Sequence, residues 1–535
     1  MFVADDIVAV AALGVINHIL FHKYEPTRST LYITIVFLVL EPLFLSIYFL
    51  YTSPVVANAS AIEIPILLFR SYTTFYATII SSIACYRLSP FHPLAHVPGP
   101  TLHKLSKLPA VWWTWKGQQH ILNKKLHDIY GPVVRTGPNE ISTIDSNAVQ
   151  TVLGASGLPK GQWYTVRQDL RAPKNLLAIT GDEHANRRRL WNRGMSSEAL
   201  KEYEDVLKGR CRDFVDALRK QAAYGGEFDI GKWLNYFTFD FMGDMAFGGG
   251  SSMVKDGHDK DGLWDELKNF ARQLLSFREY GMTCASNRVK QGSQVKDLWY
   301  HLVDEAGLEK TKPPLSNVLA DGMVAVIAGA DTVSEAMTGI LWLLLSHPEC
   351  YKQVEEEIDR VYPPTEDLQE DLDTSRLESM VYLNACINES LRLLPPVMTN
   401  GPRQVPSGSG GRLISGYFLA EGTQVYVPPY TMHRSLQHFS PEPESFIPER
   451  WLFPDNATFT LDQSAFMPFS YGPANCVGRN LARMQMKMLT IILLRQFKLE
   501  FADGFDWESW PNKMRDFFVV ARDPLKLTCR PRILH

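Results

Sequence analysis

Phe469-Ser-Tyr-Gly-Pro-Ala-Asn-Cys476-Val-Gly-Arg-Asn-Leu-Ala482 sets one cysteine in a loop that runs into an apolar helical stretch, Gly478–Gln496. Gly472-Pro473 breaks regular backbone ahead of the cysteine, and Gly478 lets the chain turn tightly into the helix. A thiol placed there stands beside the unsatisfied amides and the positive dipole end of a helix, both of which favour a thiolate. A lone cysteine is more often an inert small hydrophobe, so the loop acquires meaning only from the rest of the chain.

The 535 residues carry a formal net charge of −4, and no run of like charge stands out beyond Arg187-Arg188-Arg189, so the sequence offers no basic field for nucleic acid. A 45% hydrophobic, 21% charged composition suits a large folded core and excludes a disordered or fibrous chain. Seven cysteines are scattered without Cys-x-x-Cys spacing, which argues against a disulfide framework or a zinc site and for reducing surroundings.

The first ninety residues have a different character. Ile7–Phe21, Leu31–Tyr51 and Ile64–Tyr86 are apolar stretches; the second is long enough to span a bilayer despite Glu41-Pro42, and the other two are further candidate spans. Asp5-Asp6 in place of a basic start speaks against a cleaved signal peptide. Lys23 and Arg28 follow the first stretch, no Lys or Arg lies in Thr52–Glu63, and Arg87, Lys104 and Lys107 follow the third. By the positive-inside rule, three crossings then place the N-terminus in the lumen and the chain beyond residue 88 in the cytosol. Asn58-Ala-Ser60 in the second loop matches a glycosylation acceptor. A single span at Leu31–Tyr51 is the competing topology. The proline-dense Ser89–Pro100 predicts an extended tether. The expected layout is a membrane anchor at 1–88 with one to three transmembrane helices, a hinge at 89–100 and a catalytic domain at 101–535.

Helical periodicity runs through Gln118–Tyr130, Glu183–Arg193, Glu198–Tyr224, Trp233–Phe247, Leu263–Arg278, Ser316–Ser346, Pro348–Val361, Met380–Leu394 and Gly478–Gln496. Strand-like runs are Val133–Thr136, Glu140–Ile144, Leu413–Leu419, Thr423–Val427 and Phe517–Arg522. The fold class is mainly α with small β-sheets.

The Phe-x-x-Gly-x-x-x-Cys-x-Gly loop resembles the haem-ligand loop of the cytochrome P-450 family. Four further motifs stand in that family's order: His184 with Arg188, Ala328-Gly-Ala-Asp-Thr332, Glu389-Ser-Leu-Arg392, and Phe446-Ile-Pro-Glu-Arg450-Trp451. The resemblance covers the chain from about Val97 to its end, and details such as Gly-Pro-Ala-Asn-Cys look like fungal, basidiomycete-like members. It implies a cytochrome P-450 fold behind N-terminal transmembrane helices and a haem b, iron protoporphyrin IX, whose iron is ligated by Cys476. It also implies electrons from NADPH delivered by NADPH-cytochrome P-450 reductase, with cytochrome b5 as a second candidate donor. By the same resemblance Arg188, His184 and Arg403 hold the haem propionates, Phe469 and Gly329 belong to the haem surround, and Glu389, Arg392 and Arg450 form a structural triad.

Each motif also has a physical reading. A thiolate ligand pushes electron density onto haem iron and favours O–O cleavage. Gly329 costs about 1 kcal/mol relative to alanine inside a helix, and its small size would let a planar cofactor and dioxygen approach the backbone. Thr332 can turn its hydroxyl onto the carbonyl of Ala328, loosening the helix and presenting a proton donor, and Asp331 beside it can relay protons. Glu389 and Arg392, three apart, share a helix face. Ala474 stands where relatives commonly carry Arg or His, so Lys160 or a water must replace one propionate contact. Arg187 and Arg189 read equally as a solvated helix face or as a docking surface for the reductase. Between Phe247-Gly248 and Ala328 the chain is shorter than relatives usually are, which implies an open substrate pocket or a missing exon.

The expected function is a membrane-bound monooxygenase that inserts one oxygen atom from dioxygen into a hydrophobic small molecule, such as a terpenoid of fungal secondary metabolism. The expected location is the endoplasmic reticulum membrane, lipid-contacting and without nucleic acid. A haem-thiolate isomerase or dehydratase, or a non-catalytic membrane haem-binding protein, is the alternative.

Overall fold

A computed structural model describes residues 4–24, 26, 30–52, 63–166, 173–264, 275–292, 295–363, 372–453 and 458–533. The sequon Asn58-Ala-Ser60 and most of the helix expected at Leu263–Arg278 lie outside them. The described chain forms two compact units, Met1–Pro109 with Arg135–Pro138, and Ala110–Val134 with Asn139–His535.

The first unit contains helices α1 (Ala4–Lys23), α2 (Leu31–Thr52) and α3 (Glu63–Leu88). Val10, Phe49 and Phe75 from the three helices form its apolar core. The Ser89–Pro100 segment folds into successive turns, with His92 N donating to Ser89 O, Ala95 N to His92 O and Val97 N to Leu94 O. The extended tether is corrected accordingly. A donor that the sequence does not advertise also reaches the segment: the buried Arg135 guanidinium donates to Leu94 O, and to Arg87 O and Pro138 O outside it.

The second unit is built on helices α4 (Gly181–Gly194), α5 (Ser197–Tyr224), α6 (Ile230–Phe247), α7 (Leu315–Ser346), α8 (Val381–Leu393) and α9 (Arg479–Gln496). α6 and α7 pack along each other, and both are apolar on most of their circumference, as an interior helix must be. Asp240, buried within α6, accepts from Ser251 Oγ and from the amides of Met253 and Val254, so its carboxylate is matched on site. Ser196 caps α5 by accepting from Ala199 N.

Glu140–Thr143 pairs in parallel with Gln424–Tyr426, and the latter pairs antiparallel with Arg403–Gln404. Two segments expected as single strands are hairpins. Arg412–Ile414 and Tyr417–Leu419 fold about Ser415-Gly416 at φ 50° and 80°, and Arg515–Phe517 and Val519–Ala521 fold about Phe518 at φ 88°. Among the strands that the sequence reading does not name, the longest are Phe497–Phe501 and Lys526–Pro531, which pair antiparallel. The architecture is mainly α with small sheets, as the sequence implied.

Candidate active site

The Cys476 loop is shaped by its backbone. Cys476 N donates to Phe469 O at 2.8 Å, and Asn475 N to Gly472 O at 3.0 Å. Gly472 has φ 72°, and a Cβ there would lie 1.9 Å from Leu153 O, so only glycine fits. Gly478, by contrast, has φ −82° and open space where a Cβ would stand; the turn into α9 does not require it. The Arg483 guanidinium lies 5.4 Å from the centre of the Phe469 ring.

Cys476 precedes α9 by three residues, and its side chain is exposed although the loop sits against the core. Its depth in the protein pushes the thiol above its ordinary pKa, while the Gly478 amide and the guanidinium groups of Arg188 and Arg479 pull the other way. The helix terminus thus works against burial at this thiol, and a bound metal would decide the balance, because coordination deprotonates a thiol outright.

Arg188 on α4 is committed to this loop. Its Nη1 donates to Asn475 O and its Nη2 to Asn475 Oδ1, both at 2.6 Å, while Nε donates to Asn192 Oδ1. The planar fork thus fixes the residue next to the cysteine from both its backbone and its side chain.

Lys160, His184 and Arg403 gather beside it. Lys160 and Arg403 are bridged backbone to backbone, and Lys160 Nζ donates to Leu176 O at 2.9 Å and Ile179 O at 3.2 Å. Burial, then Arg403 and Arg188, push the Lys160 ammonium down to about 7. Burial, then Lys160, Arg188, Arg403 and Arg187, push His184 down to about 4. Arg403 is buried and its Nε has no hydrogen-bond partner. Basic side chains whose charged forms are disfavoured by burial and by one another, with an orphaned donor among them, match the carboxylate edge of an anionic cofactor. The residues fit a haem at this place, with Lys160 a further basic group beside Arg403 and Arg188.

On α7 the expected local geometry is present: Thr332 Oγ1 donates to Ala328 O at 2.6 Å. Ala328 is exposed while Ala330 and Val333 are buried, so α7 presents an open face at that turn. Gly329 serves a neighbour. A Cβ there would lie 2.6 Å from Met242 Sδ, so its size lets α7 pack closely on α6. Asp331 is half-buried beside it. α7 and α9 pack together, which carries this turn and the Cys476 loop on adjoining helices.

Glu389, Arg392 and Arg450 are all fully buried. Arg392 donates from Nε and Nη2 to the two oxygens of Glu389, each at 2.8 Å, and Arg450 Nε reaches Glu389 Oε1 at 3.4 Å. Ile447 N and Trp451 Nε1 complete the carboxylate's shell at 3.0 and 2.9 Å. The remaining Arg392 donors go to the carbonyls of His433, Pro443 and Ser445.

Arg187 lies on neither a solvated face nor a docking surface. It is buried and donates from Nε and Nη2 to Asp321 of α7, which also accepts from Trp191 Nε1 and Leu176 N. Asp321 is a carboxylate inside an apolar helical run, and that was the signal the sequence reading passed over. Arg189 is exposed and paired with Glu309. A separate cavity of about 520 Å³ is lined by Arg193, Glu202, Lys296, His301 and Asp304 among others, none of them in the Cys476 loop or the Ala328 turn.

A family model described as Cytochrome P450 matches residues 98–282 and 261–529. The two pieces meet at 261–282, within the stretch that the sequence reading finds short. Among curated relatives, the cytochrome P450 monooxygenase cpaH of Aspergillus oryzae is 31% identical over 479 residues, covering 84% of this chain and 91% of its own. The cytochrome P450 monooxygenase FCK2 of Fusarium pseudograminearum is 30% identical over 550 residues, covering 97% and 96%. Cytochrome P450 67 of Uromyces fabae is 30% identical, covering 84% and 88%.

Proposed function

The chain belongs to the cytochrome P450 family, and from that premise we propose a membrane-anchored enzyme that holds its haem iron through Cys476 and oxidises a hydrophobic fungal metabolite, such as a terpenoid. It is a haem-thiolate monooxygenase, an oxidoreductase that receives electrons from a redox partner. Bound at Cys476, haem supplies dioxygen activation with two electrons that originate in NADPH, one oxygen atom entering the substrate and the other leaving as water.

The chain's own residues do the rest. Arg188 fixes Asn475 and so the position of the thiol. Lys160, His184 and Arg403 would receive the two carboxylates of the cofactor, whose negative charge favours the protonated forms that burial and neighbouring cations disfavour. Thr332 holds its proton on Ala328 O and is placed to release it on the open face at that turn, with Asp331 as the adjacent proton store. The observation that carries the reading is the exposed Cys476 thiol on a clamped loop, beside a cluster of basic side chains in which the buried Arg403 Nε has no hydrogen-bond partner.

The N-terminal apolar helices anchor the enzyme in the endoplasmic reticulum membrane with the second unit in the cytosol, where NADPH-cytochrome P-450 reductase, or cytochrome b5, reaches it. This follows from the positive charges that flank the apolar stretches. A pocket near the bilayer suits substrates that partition into it. Co-expression with a reductase, followed by comparison of metabolites with and without the protein, tests the reading. Substrate-dependent NADPH consumption with oxygen uptake supports it. Conversion without oxygen uptake assigns an isomerase or dehydratase, and no turnover assigns a binding protein.

A further inference from the structure

We infer that α1, α2 and α3 form one sealed bundle that crosses the bilayer three times and presents its whole outer surface to lipid acyl chains. The inference rests on the membrane-anchored reading above and deepens it, since a single helix would also serve as an anchor.

The helices have 20, 22 and 26 residues, or about 30, 33 and 39 Å at 1.5 Å per residue, against a hydrocarbon core of about 30 Å; α2 alone is both long and apolar enough to span by itself, and α1, apolar over Ile7–Lys23, and α3 cross as its partners. Their surface pattern is the inverse of a water-soluble bundle. Ile16 and Ile19 on α1, Tyr32 and Phe44 on α2, and Phe69 and Ile80 on α3 are all more than half exposed, whereas Asn17, Ser46 and Ser71 are buried. Water would drive the opposite arrangement.

The break in α2 shows how tightly the three helices depend on one another. Pro42 has no amide to give to Leu38 O four residues back, and α2 passes through a π turn at Val36–Leu40 just before it. In lipid the loosened carbonyls have no water to turn to. α3 supplies their donors: Tyr76 Oη donates to Leu38 O at 2.9 Å and Tyr72 Oη to Val39 O at 2.6 Å, from positions one helical turn apart. α1 supplies the partner for the adjacent carboxylate, because Asn17 Nδ2 donates to Glu41 Oε2 at 2.7 Å. His18 Nδ1 shares a hydrogen bond with Ser82 Oγ of α3 at 2.7 Å. These four contacts each join one helix to another, while Ser46, Thr73 and Thr78 turn their hydroxyls onto carbonyls of their own helix, and both arrangements suit a lipid solvent. Arg70 lies seven residues from the start of α3, close enough to the bilayer edge for its long side chain to reach the headgroups.

The test uses the full chain in microsomes on a Cys85→Ser background. A Cβ at position 14 would lie 3.1 Å from Thr78 Cβ, a few tenths of an ångström closer than the roughly 3.5–4.5 Å of a disulfide, so after a small separation of the two helices Gly14→Cys with Thr78→Cys should cross-link α1 to α3 on oxidation. A protease site inserted within residues 53–62 shows the link as fragments held together without reductant. Tyr72→Phe with Tyr76→Phe should slow that cross-linking by about threefold per lost bond, or roughly tenfold for the pair. In the chain without engineered cysteines, a glycosidase-sensitive mobility shift abolished by Asn58→Gln should place residues 53–62 on the lumenal side. Carbonate-resistant protein that does not cross-link, or whose residues 53–62 are protease-accessible from the cytosol, overturns the bundle and leaves the anchor standing. Release by carbonate overturns the anchor itself and the bundle with it.

Discussion

Glu389→Gln isolates the cost of one buried charge. The carboxylate is fully buried and takes hydrogen bonds from Arg392, Ile447 and Trp451 at 2.8 to 3.0 Å, with Arg450 at 3.4 Å. Glutamine keeps the volume and one carbonyl acceptor but removes the only charge that balances two fully buried guanidinium groups within this triad. Leaving a buried ion without its partner costs about 3–5 kcal/mol, and the donors of Ile447 or Trp451 that lose an acceptor add to that rather than offset it. The unfolding equilibrium should therefore shift by roughly two to four orders of magnitude, a large part of the 5–15 kcal/mol of an ordinary domain. The assay is denaturant unfolding of the detergent-solubilised chain, read alongside the fraction of haem incorporated. Glu183→Gln is the control: its partner contact with Arg187 is 3.6 Å long and Glu183 is 59% exposed, so the change should stay within about 0.5 kcal/mol. A Glu389→Gln chain that is destabilised by less than 1 kcal/mol and fills with haem normally would refute the triad's structural role.

Two further outcomes are expected. Thr332→Ala should retain haem and substrate binding while product formed per NADPH consumed falls roughly tenfold, short of the 10²–10⁴ of a sole proton donor because Asp331 remains; equal coupling in mutant and parent contradicts the role given to the hydroxyl. Lys160 has a folded-state pKa of about 7, depressed from 10.5, so between those values the cofactor-free chain holds a neutral amine and must take up a proton to receive a carboxylate. Haem affinity should then fall as pH rises from 6.5 to 9, by at most about tenfold per pH unit above 7, and Lys160→Gln should flatten that dependence in a haem-transfer assay; an unchanged slope removes Lys160 from the site.

Much of the frame was legible because its determinants are local. Helix ends along α4 to α9 follow from apolar periodicity, caps and breakers, and the Thr332 to Ala328 bond follows from a hydroxyl four residues after a carbonyl. What failed to show was decided across the chain. Arg187 read like its neighbour Arg189 because its partner, Asp321, lies 134 residues away. Phe518 gave no sign of a turn, since an aromatic residue at φ 88° is held there by tertiary contacts: its amide donates to Asp516 Oδ1, and Thr399 Oγ1 donates to the other carboxylate oxygen. The Cys476 environment shows the same limit. A helix terminus can be read from sequence, but the depth that raises the thiol pKa cannot. Gly329 was read for its smallness and is small, yet the atom that uses the space is Met242 Sδ on another helix.

Ligation by Cys476 is the centre of the account, and the spectrum of the reduced, carbon-monoxide-bound protein tests it most directly. The parent chain should show the strongly red-shifted band of a thiolate-bound haem, and Cys476→Ser should lose that band while Cys386→Ser, at a buried position in α8, keeps it. A parent spectrum of the histidine-ligated type, or a red-shifted band that survives Cys476→Ser, would contradict the assignment.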